Sequence, residues 1–358
     1  MTRSPILFRV DATRTSGFES FWRCLTFSAA LQRRRRPTYF LSKLEPKSLA
    51  FAVKRIGNNW LGTNTSIGSE QDLDELISEV RRLQPGAVVL DGQYVSESYV
   101  EAVQNEGPMV LLMDHIADRR FPSRLVVNPL LSPGREQYDV VPGAQILLGS
   151  RYSLVRPEIR RLRPLRAQEP VPPFRAMIAL GDDDPHEQSL DLAKLMLTTP
   201  GVERVDIIAR PHHPQLEQMQ ELAQANEDKL EIATEPSEVA ARVIRCHFAV
   251  TSGDTWSLEL ACVGIPQLVI VQDESHWPTA QQLEEEGAAT CLGWHETLSA
   301  KTIREAAVEI LDDPFERKSM SRCGRRLIDG RGADRLVNGL EIMLNRRRPV
   351  ELEADLAA

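Results

Sequence analysis

The chain has 358 residues and a mass of 40.2 kDa, enough for two ordinary domains with separate cores. Its 43 basic and 51 acidic residues give a net charge of −8, which repels nucleic acid phosphate. A balance of 42% hydrophobic and 26% charged residues, with no run of about 18 apolar residues, is that of a globular chain without a membrane span.

The N-terminal stretch MTRSPILFRVDATRTSGF has an apolar segment too short for a secretory signal, so the expected location is cytoplasmic. In the first half, ILFRVDA, PTYFLS, AVVLD, PMVLLMD, RLVVN and ILLG read as strands. Between two of them, DLDELISEVRRL sets Leu73, Leu76, Ile77, Val80 and Leu83 on one helical face. Strands that are apolar almost throughout, alternating with helices, predict a parallel sheet covered on both sides.

The rhythm breaks at RPEIRRLRPLRAQEPVPPF, residues 156–174, which is rich in Pro and Arg and has no apolar period; it reads as an interdomain linker. Its basic run, like Arg33 to Arg36 and Arg346 to Arg348, lacks interleaved aromatic residues and reads as a solvated helix end or linker. Alternation then resumes: MIAL, a helix near 187–198, VDIIA, a helix near 214–225, LEIAT, a helix near 237–245, HFAVTS, a short helix, QLVIV, ATCLG, and helices to about 346. The domain expectation is therefore 1–155, a linker at 156–174, 175–346, and an acidic tail at 347–358. The five cysteines, at 24, 246, 262, 291 and 323, form no CxxC pair, so neither a disulfide framework nor a zinc site is suggested.

Two parallel-sheet domains hold ligands beyond the carboxyl ends of their strands. Strand FAVTS runs through Ser252 into Gly253, then into a helix whose first amides, with Asp254, Thr255 and Ser257, are available to ligand oxygens. Glu259 lies one turn past Thr255. By spacing alone it reads as a surface acid on an amphipathic helix.

The wider stretch TSGDTWSLELACVGIPQLVIVQDESHWPTAQQLEEEGAATCLG resembles the second-domain signature of GT-B nucleotide-sugar enzymes related to the MurG glycosyltransferase. The segments FRVDATRTSGF, LDGQYV, MDHIADRRFPSRLVVNPLL, LLGSRYSLVRPEI and DGRGADRLV are similar to the PseG/SpsG family within that group. Its typical member is UDP-2,4-diacetamido-2,4,6-trideoxy-β-L-altropyranose hydrolase. The resemblance implies two Rossmann-like domains facing a central cleft, and a UDP-linked amino sugar as ligand. No metal or cofactor is expected, and, from the charge and hydropathy above, no nucleic acid partner and no membrane span.

By the same resemblance Glu259 would hold the nucleotide ribose, with Gly181, Ser252, Gly253, Thr255, Ser275 and His276 around the nucleotide and Arg9, Gly17 and Tyr94 on the sugar side. The family's N-terminal loop carries a histidine where this chain has Ser20, in Gly17-Phe18-Glu19-Ser20-Phe21-Trp22-Arg23. Serine has no group titrating near neutrality. Glu19 and Asp11 are the remaining catalytic candidates there, and Glu19 also reads as an acid favoured in a first helical turn. A second departure is the acidic loop Gly181-Asp182-Asp183-Asp184-Pro185, which reads as a cap for the next helix. His115, beside Asp114 after a strand, reads as a loop-shaping pair. The alternatives are a GT-B glycosyltransferase and a non-catalytic nucleotide-sugar-binding or interaction protein of a glycan pathway. The first loop, DATRTSGFES, lacks GxGxxG, which sets aside a dinucleotide enzyme.

Overall fold

The computed structural model describes residues 3–92, 95–131, 133–181, 184–211 and 213–346. Contacts divide the chain into two compact units. The first takes residues up to Pro129, then 134–148 and the stretch from Arg331; the second takes 130–133 and 149–330.

Among the described residues, the first unit holds β1 (Ile6–Arg9), α1 (Glu19–Arg33), β2 (Thr38–Ser42), α2 (Ala50–Arg55), β3 (Asn59–Gly62), α3 (Glu70–Leu83), β4 (Ala87–Asp91), α4 (Glu97–Asn105), β5 (Met109–Met113), β6 (Arg120–Phe121), β7 (Leu125–Asn128), β8 (Asp139–Val140) and β9 (Gln145–Leu148). Seven of these strands form one sheet in the order β3-β2-β1-β4-β5-β7-β9, and β6 pairs with β8. Every pairing is parallel. The central strands AVVLD and MVLLM are buried at every position, as sheets covered on both faces require. On one face Leu76 and Val80 of α3 are buried, each stabilising by about 1.5–3 kcal/mol. On another, Phe8 stacks on Phe40 with ring centroids 4.6 Å apart.

The second unit holds α5 (Pro157–Arg160), β10 (Arg175–Ala179), α6 (Ser189–Leu197), β11 (Arg204–Ile208), α7 (Leu216–Ala225), β12 (Leu230–Ala233), α8 (Pro236–Arg245), β13 (Phe248–Thr251), α9 (Thr255–Val263), β14 (Gln267–Val271), α10 (Trp277–Glu285), β15 (Thr290–Trp294), α11 (Ala300–Asp312) and α12 (Pro314–Leu327). Its sheet is also parallel, in the order β12-β11-β10-β13-β14-β15. Each sheet grows outward from its first strand, then reverses to the other side. The reversal leaves a crevice between the loops after β1 and β4 in one unit, and between those after β10 and β13 in the other.

Two features differ from the sequence expectation. The final helix, α13 (Gly332–Arg346), belongs to the first unit: it packs on α1, with Leu336, Val337 and Leu340 fully buried. Residues 156–174 are not a free linker but part of the second unit. There Arg163 Nη1 donates to the carbonyls of Cys262 (2.6 Å) and Ile328 (2.8 Å), and its Nη2 to that of Arg325 (2.6 Å). These are carbonyls left over at helix ends, so this arginine of the basic run replaces water as their partner. Arg166 is likewise buried.

Candidate functional site

In the second unit three loops converge at the sheet's reversal point. Gly181, just past β10, has φ +92°, and a Cβ there would lie 2.8 Å from Asp254 Oδ2. Gly253, just past β13, has φ +83°, and a Cβ there would lie 3.2 Å from both the His276 carbonyl and Ala280 Cβ. Both positions combine the left-handed region with close approach, a combination that selects glycine. Asp254 caps α9 by accepting from the Ser257 amide at 3.3 Å, and Ser257 Oγ accepts from the Gly253 amide at 3.0 Å.

The hydroxyls at this point differ in their state. Ser252 Oγ, after β13, and Thr279 Oγ1, in the first turn of α10, are buried with no hydrogen-bond partner among the described residues. Such groups cost stability unless something else completes them. Thr255 opens α9 and is half-buried. Ser275 is occupied locally, its amide and hydroxyl both donating to Asp273 Oδ1 at 2.8 and 2.5 Å. His276 is half-buried and closes the same turn, its amide donating to the Asp273 carbonyl at 3.0 Å. Of the acidic loop, Asp182 and Asp183 lie outside the described residues. Asp184 caps α6, its oxygens accepting from the amides of Gln188 (3.0 Å) and Ser189 (2.8 Å).

Glu259 is fully buried, so it is no surface acid. Its Oε1 accepts from the Arg156 amide at 2.8 Å, and both oxygens accept from Arg156 Nε at 2.9 Å, with Nη2 closing the fork. The same guanidinium lies 4.2 Å from the Trp256 ring centroid. The carboxylate therefore has an internal cation as partner, supplied by the residue just before α5.

In the first unit the strand-end residues Arg9 and Asp11 lie in a closed network. Arg9 Nε donates to Asp72, Nη1 to Asp11 and the Leu41 carbonyl, and Nη2 to Asp11 (3.3 Å) and the Thr65 carbonyl (3.0 Å). Asp11 also accepts from the amides of Lys43 (2.9 Å) and Ile67 (2.8 Å). Asp72 takes Gly68 N at 2.9 Å and the Tyr99 hydroxyl at 2.6 Å. Burial and the Asp72 charge push the Tyr99 phenol well above its usual range. This network ties together the loops after β1, β2 and β3. Gly17 ends the β1 loop with φ +69°. Tyr94 lies outside the described residues.

The end of β4 is arranged differently. Arg23 of α1 grips Asp91 with Nε to Oδ2 at 2.9 Å and Nη2 to Oδ1 at 2.7 Å. Nη2 also donates to Ser20 Oγ at 2.9 Å, and Nη1 lies 3.9 Å from Glu19. Burial, with Asp91 beside it, pushes the Cys24 thiol up. Next to this cluster lies a pocket of about 190 Å³ whose walls include Asp91, Gly92, Met113, Asp114, His115 and Arg119. Asp114 Oδ2 accepts from the amides of Ile116 (3.2 Å) and Ala117 (2.9 Å) and from the Tyr138 hydroxyl (2.9 Å), which fixes the loop carrying His115. Burial and then Arg23 hold the His115 imidazole below its ordinary range, against Glu19, Asp91 and Asp114.

Sequence reasoning passed over Asp91 and Arg156. Asp91 carries a signal like that of Glu259, a lone acid in an otherwise apolar element. Arg156 carries none, because its partner is 103 residues away. Among the described residues, no group of three or more His, Cys, Asp or Glu is placed to hold a metal ion, and no helix is long and apolar enough to cross a membrane.

No protein-family model matches the chain. It is 24% identical over 221 residues to the spore coat polysaccharide biosynthesis protein SpsG of Bacillus subtilis (strain 168), a match that covers 60% of this chain and 56% of that protein. MurG of Acinetobacter baumannii superposes with a TM-score of 0.63 at 14% identity, covering 94% of this chain and 99% of that one. The spinosyn rhamnosyltransferase SpnG, complexed with thymidine diphosphate, gives 0.61 at 14% identity, covering 94% and 100%. The chain is thus similar in sequence to SpsG, and its two parallel-sheet units make the GT-B fold of the MurG-like glycosyltransferases.

Proposed function

We propose that the chain binds a nucleotide-linked sugar in glycan assembly and hydrolyses it, releasing UDP from an amino-sugar nucleotide. The observation that carries this reading is the reversal point of the second unit. Two glycines there bring three loops into close approach, and buried hydroxyls lack partners, as a site for phosphate and sugar oxygens requires. SpsG, named for polysaccharide biosynthesis, and SpnG, which carries thymidine diphosphate, support the same ligand class.

In this reading Gly181, Ser252, Gly253 and Thr255 receive the diphosphate, with Ser275 and His276 at its rim. Glu259 receives the ribose hydroxyls once Arg156 yields part of its hold. Within the first unit taken by itself, the pocket beside Asp91, with Gly17, Ser20 and Glu19 on the adjoining loop and helix start, is proposed as a place for a sugar. Arg9 and Asp11 act there by holding the loops, since their polar atoms already have partners.

Titration calorimetry with UDP, dTDP, CMP and GDP tests the nucleotide, and nucleotide release from the corresponding sugars tests turnover. Binding of UDP with release from a UDP-sugar in water alone supports the hydrolase. Release only when an alcohol acceptor is added moves the reading to a glycosyltransferase, which SpnG complexed with spinosyn aglycone favours as the second reading. Binding without release supports a non-catalytic binder, consistent with Ser20 at the position of the family histidine.

A further inference from the structure

Glu259 is the acid that the ribose reading needs, yet its acceptor positions are filled. A carboxylate has about four lone-pair directions. Here Oε1 takes the Arg156 amide at 2.8 Å and Nε at 2.9 Å, and Oε2 takes the same Nε at 2.9 Å together with Nη2. A ribose hydroxyl has to donate to this carboxylate, and no direction is left for it. The guanidinium is also the outer member of the pair, with a side-chain exposure of 15% against 1% for Glu259. It lies 4.2 Å from the ring centroid of the buried Trp256. Arg156, Trp256 and Glu259 all belong to the second unit.

We propose that Arg156 is an autoinhibitory side chain, which occupies the place of the ribose hydroxyls on Glu259 and swings off before a nucleotide is held there. The inference rests on the ribose reading of Glu259 given above. Only the side chain has to move. The Arg156 amide keeps its bond to Oε1, which holds the entry to α5 and leaves about three acceptor directions for two ribose hydroxyls.

The closed state opposes binding. Both carboxylate oxygens accept charge-assisted bonds from the guanidinium, and the Trp256 ring adds a cation–π contact to the same conformation. A nucleotide that needs Glu259 binds only the open fraction of the chain, so its apparent affinity is the intrinsic one reduced by that fraction. Loosening the fork therefore tightens the binding of any ligand that uses Glu259. A ligand without the two hydroxyls leaves Arg156 in place and is indifferent to the fork. A merely structural fastening predicts the opposite, since loosening it tightens no ligand.

Lysine at position 156 separates the two, because it keeps a cation beside the buried Glu259 but gives up the planar fork. The test uses the full chain and the nucleotide that binds tightest among UDP, dTDP, CMP and GDP. For UDP the probes are uridine and 2′,3′-dideoxyuridine. Nucleosides bring no phosphate, so attraction between Arg156 and a diphosphate stays out of the measurement. By titration calorimetry, Arg156→Lys binds uridine about tenfold more tightly than wild type does, and binds dideoxyuridine equally. In the wild-type chain, the NMR resonance of the Arg156 Nε–H is recognised by its nuclear Overhauser contact with the Trp256 ring. It moves on saturation with uridine and keeps its position with dideoxyuridine, a readout that needs no variant.

If wild type binds uridine and Arg156→Lys binds it no more tightly, Arg156 is no bar to binding, while the ribose reading of Glu259 stands. An equal gain for dideoxyuridine also overturns the proposal, because position 156 then acts on something other than the hydroxyls. A resonance that keeps its position in uridine-saturated wild type means that the fork stays closed, and both the autoinhibition and the ribose role of Glu259 fall. If no nucleotide of the panel binds, the nucleotide reading falls and the autoinhibition with it.

Discussion

At the carboxyl end of β1, all five N–H groups of Arg9 have acceptors, and Asp11 and Asp72 are filled in turn by loop amides and a tyrosine hydroxyl. On the neighbouring strand, at the end of β4, Arg23 and Asp91 form a pair just as buried, with side-chain exposures of 3% and 2%, but one flank opens on a pocket that holds a histidine. Both pairs place an arginine and a carboxylate at strand ends beside the same reversal point. The second has a pocket beside it, whereas the polar atoms of the first are filled by protein groups. A buried ion pair by itself is thus a poor marker of a site; a void next to it, with a titratable side chain on the wall, is a better one.

The sharpest way to break the comparison is to remove one partner of the closed network. Asp72→Ala strands Arg9 and the Tyr99 hydroxyl and is expected to cost about 3–5 kcal/mol in urea unfolding. A loss below about 1 kcal/mol would mean that water already serves Arg9.

Glu259→Gln tests an intermediate case, because Arg156 is 15% exposed and its partner 1%. The expected destabilisation is about 1–3 kcal/mol. If the ribose role holds, UDP affinity also drops by roughly ten to a hundredfold. Stability lost with affinity unchanged would leave Glu259 as a fastening for the segment that enters α5.

Gly181→Ala forces a side chain into φ +92° with its Cβ against Asp254. The expected cost is about 1–2 kcal/mol, read by thermal unfolding, with weaker nucleotide binding from a displaced helix cap. The smallest effect is expected at Arg33→Ala. Its pair with Asp334 is 46% and 36% exposed on the two side chains, and the change is about 0.5 kcal/mol or less.

The sequence made the central strands legible because AVVLD, MVLLM and QLVIV are apolar on both faces, and made α9 legible because Gly264 ends it. That glycine has φ +89°, and a Cβ there would lie 2.6 Å from Arg325 Cδ. The strand NWLG was missed because β3 is an edge, half-exposed, with no clean alternation. The Pro/Arg-rich stretch looked like a linker because its structure is made by guanidinium groups reaching distant carbonyls, for which no local period exists. The site was legible in its glycines and in Glu259, but not in its partners. Nothing near Arg9 announces Asp72, 63 residues on, and nothing near Glu259 announces Arg156. His115 was visible as a residue after a strand; the pocket beside it comes only from the packing of the loops after β4 and β5.

Helix α13 has a consequence for how the protein is made. Its Leu336, Val337 and Leu340 complete the surface of α1, and Arg36 clasps Glu341 with Nε to Oε1 at 2.8 Å and Nη2 to Oε2 at 2.6 Å. The first unit therefore begins before the second is synthesised and is completed only after it. At about 5–20 residues per second, its sheet waits roughly 10 to 40 seconds, while the whole second unit is synthesised, with the α1 surface uncovered. A nascent chain stalled after Leu148 should thus offer an apolar helix face to chaperones, and supplying residues 331–346 as a separate peptide should cover it.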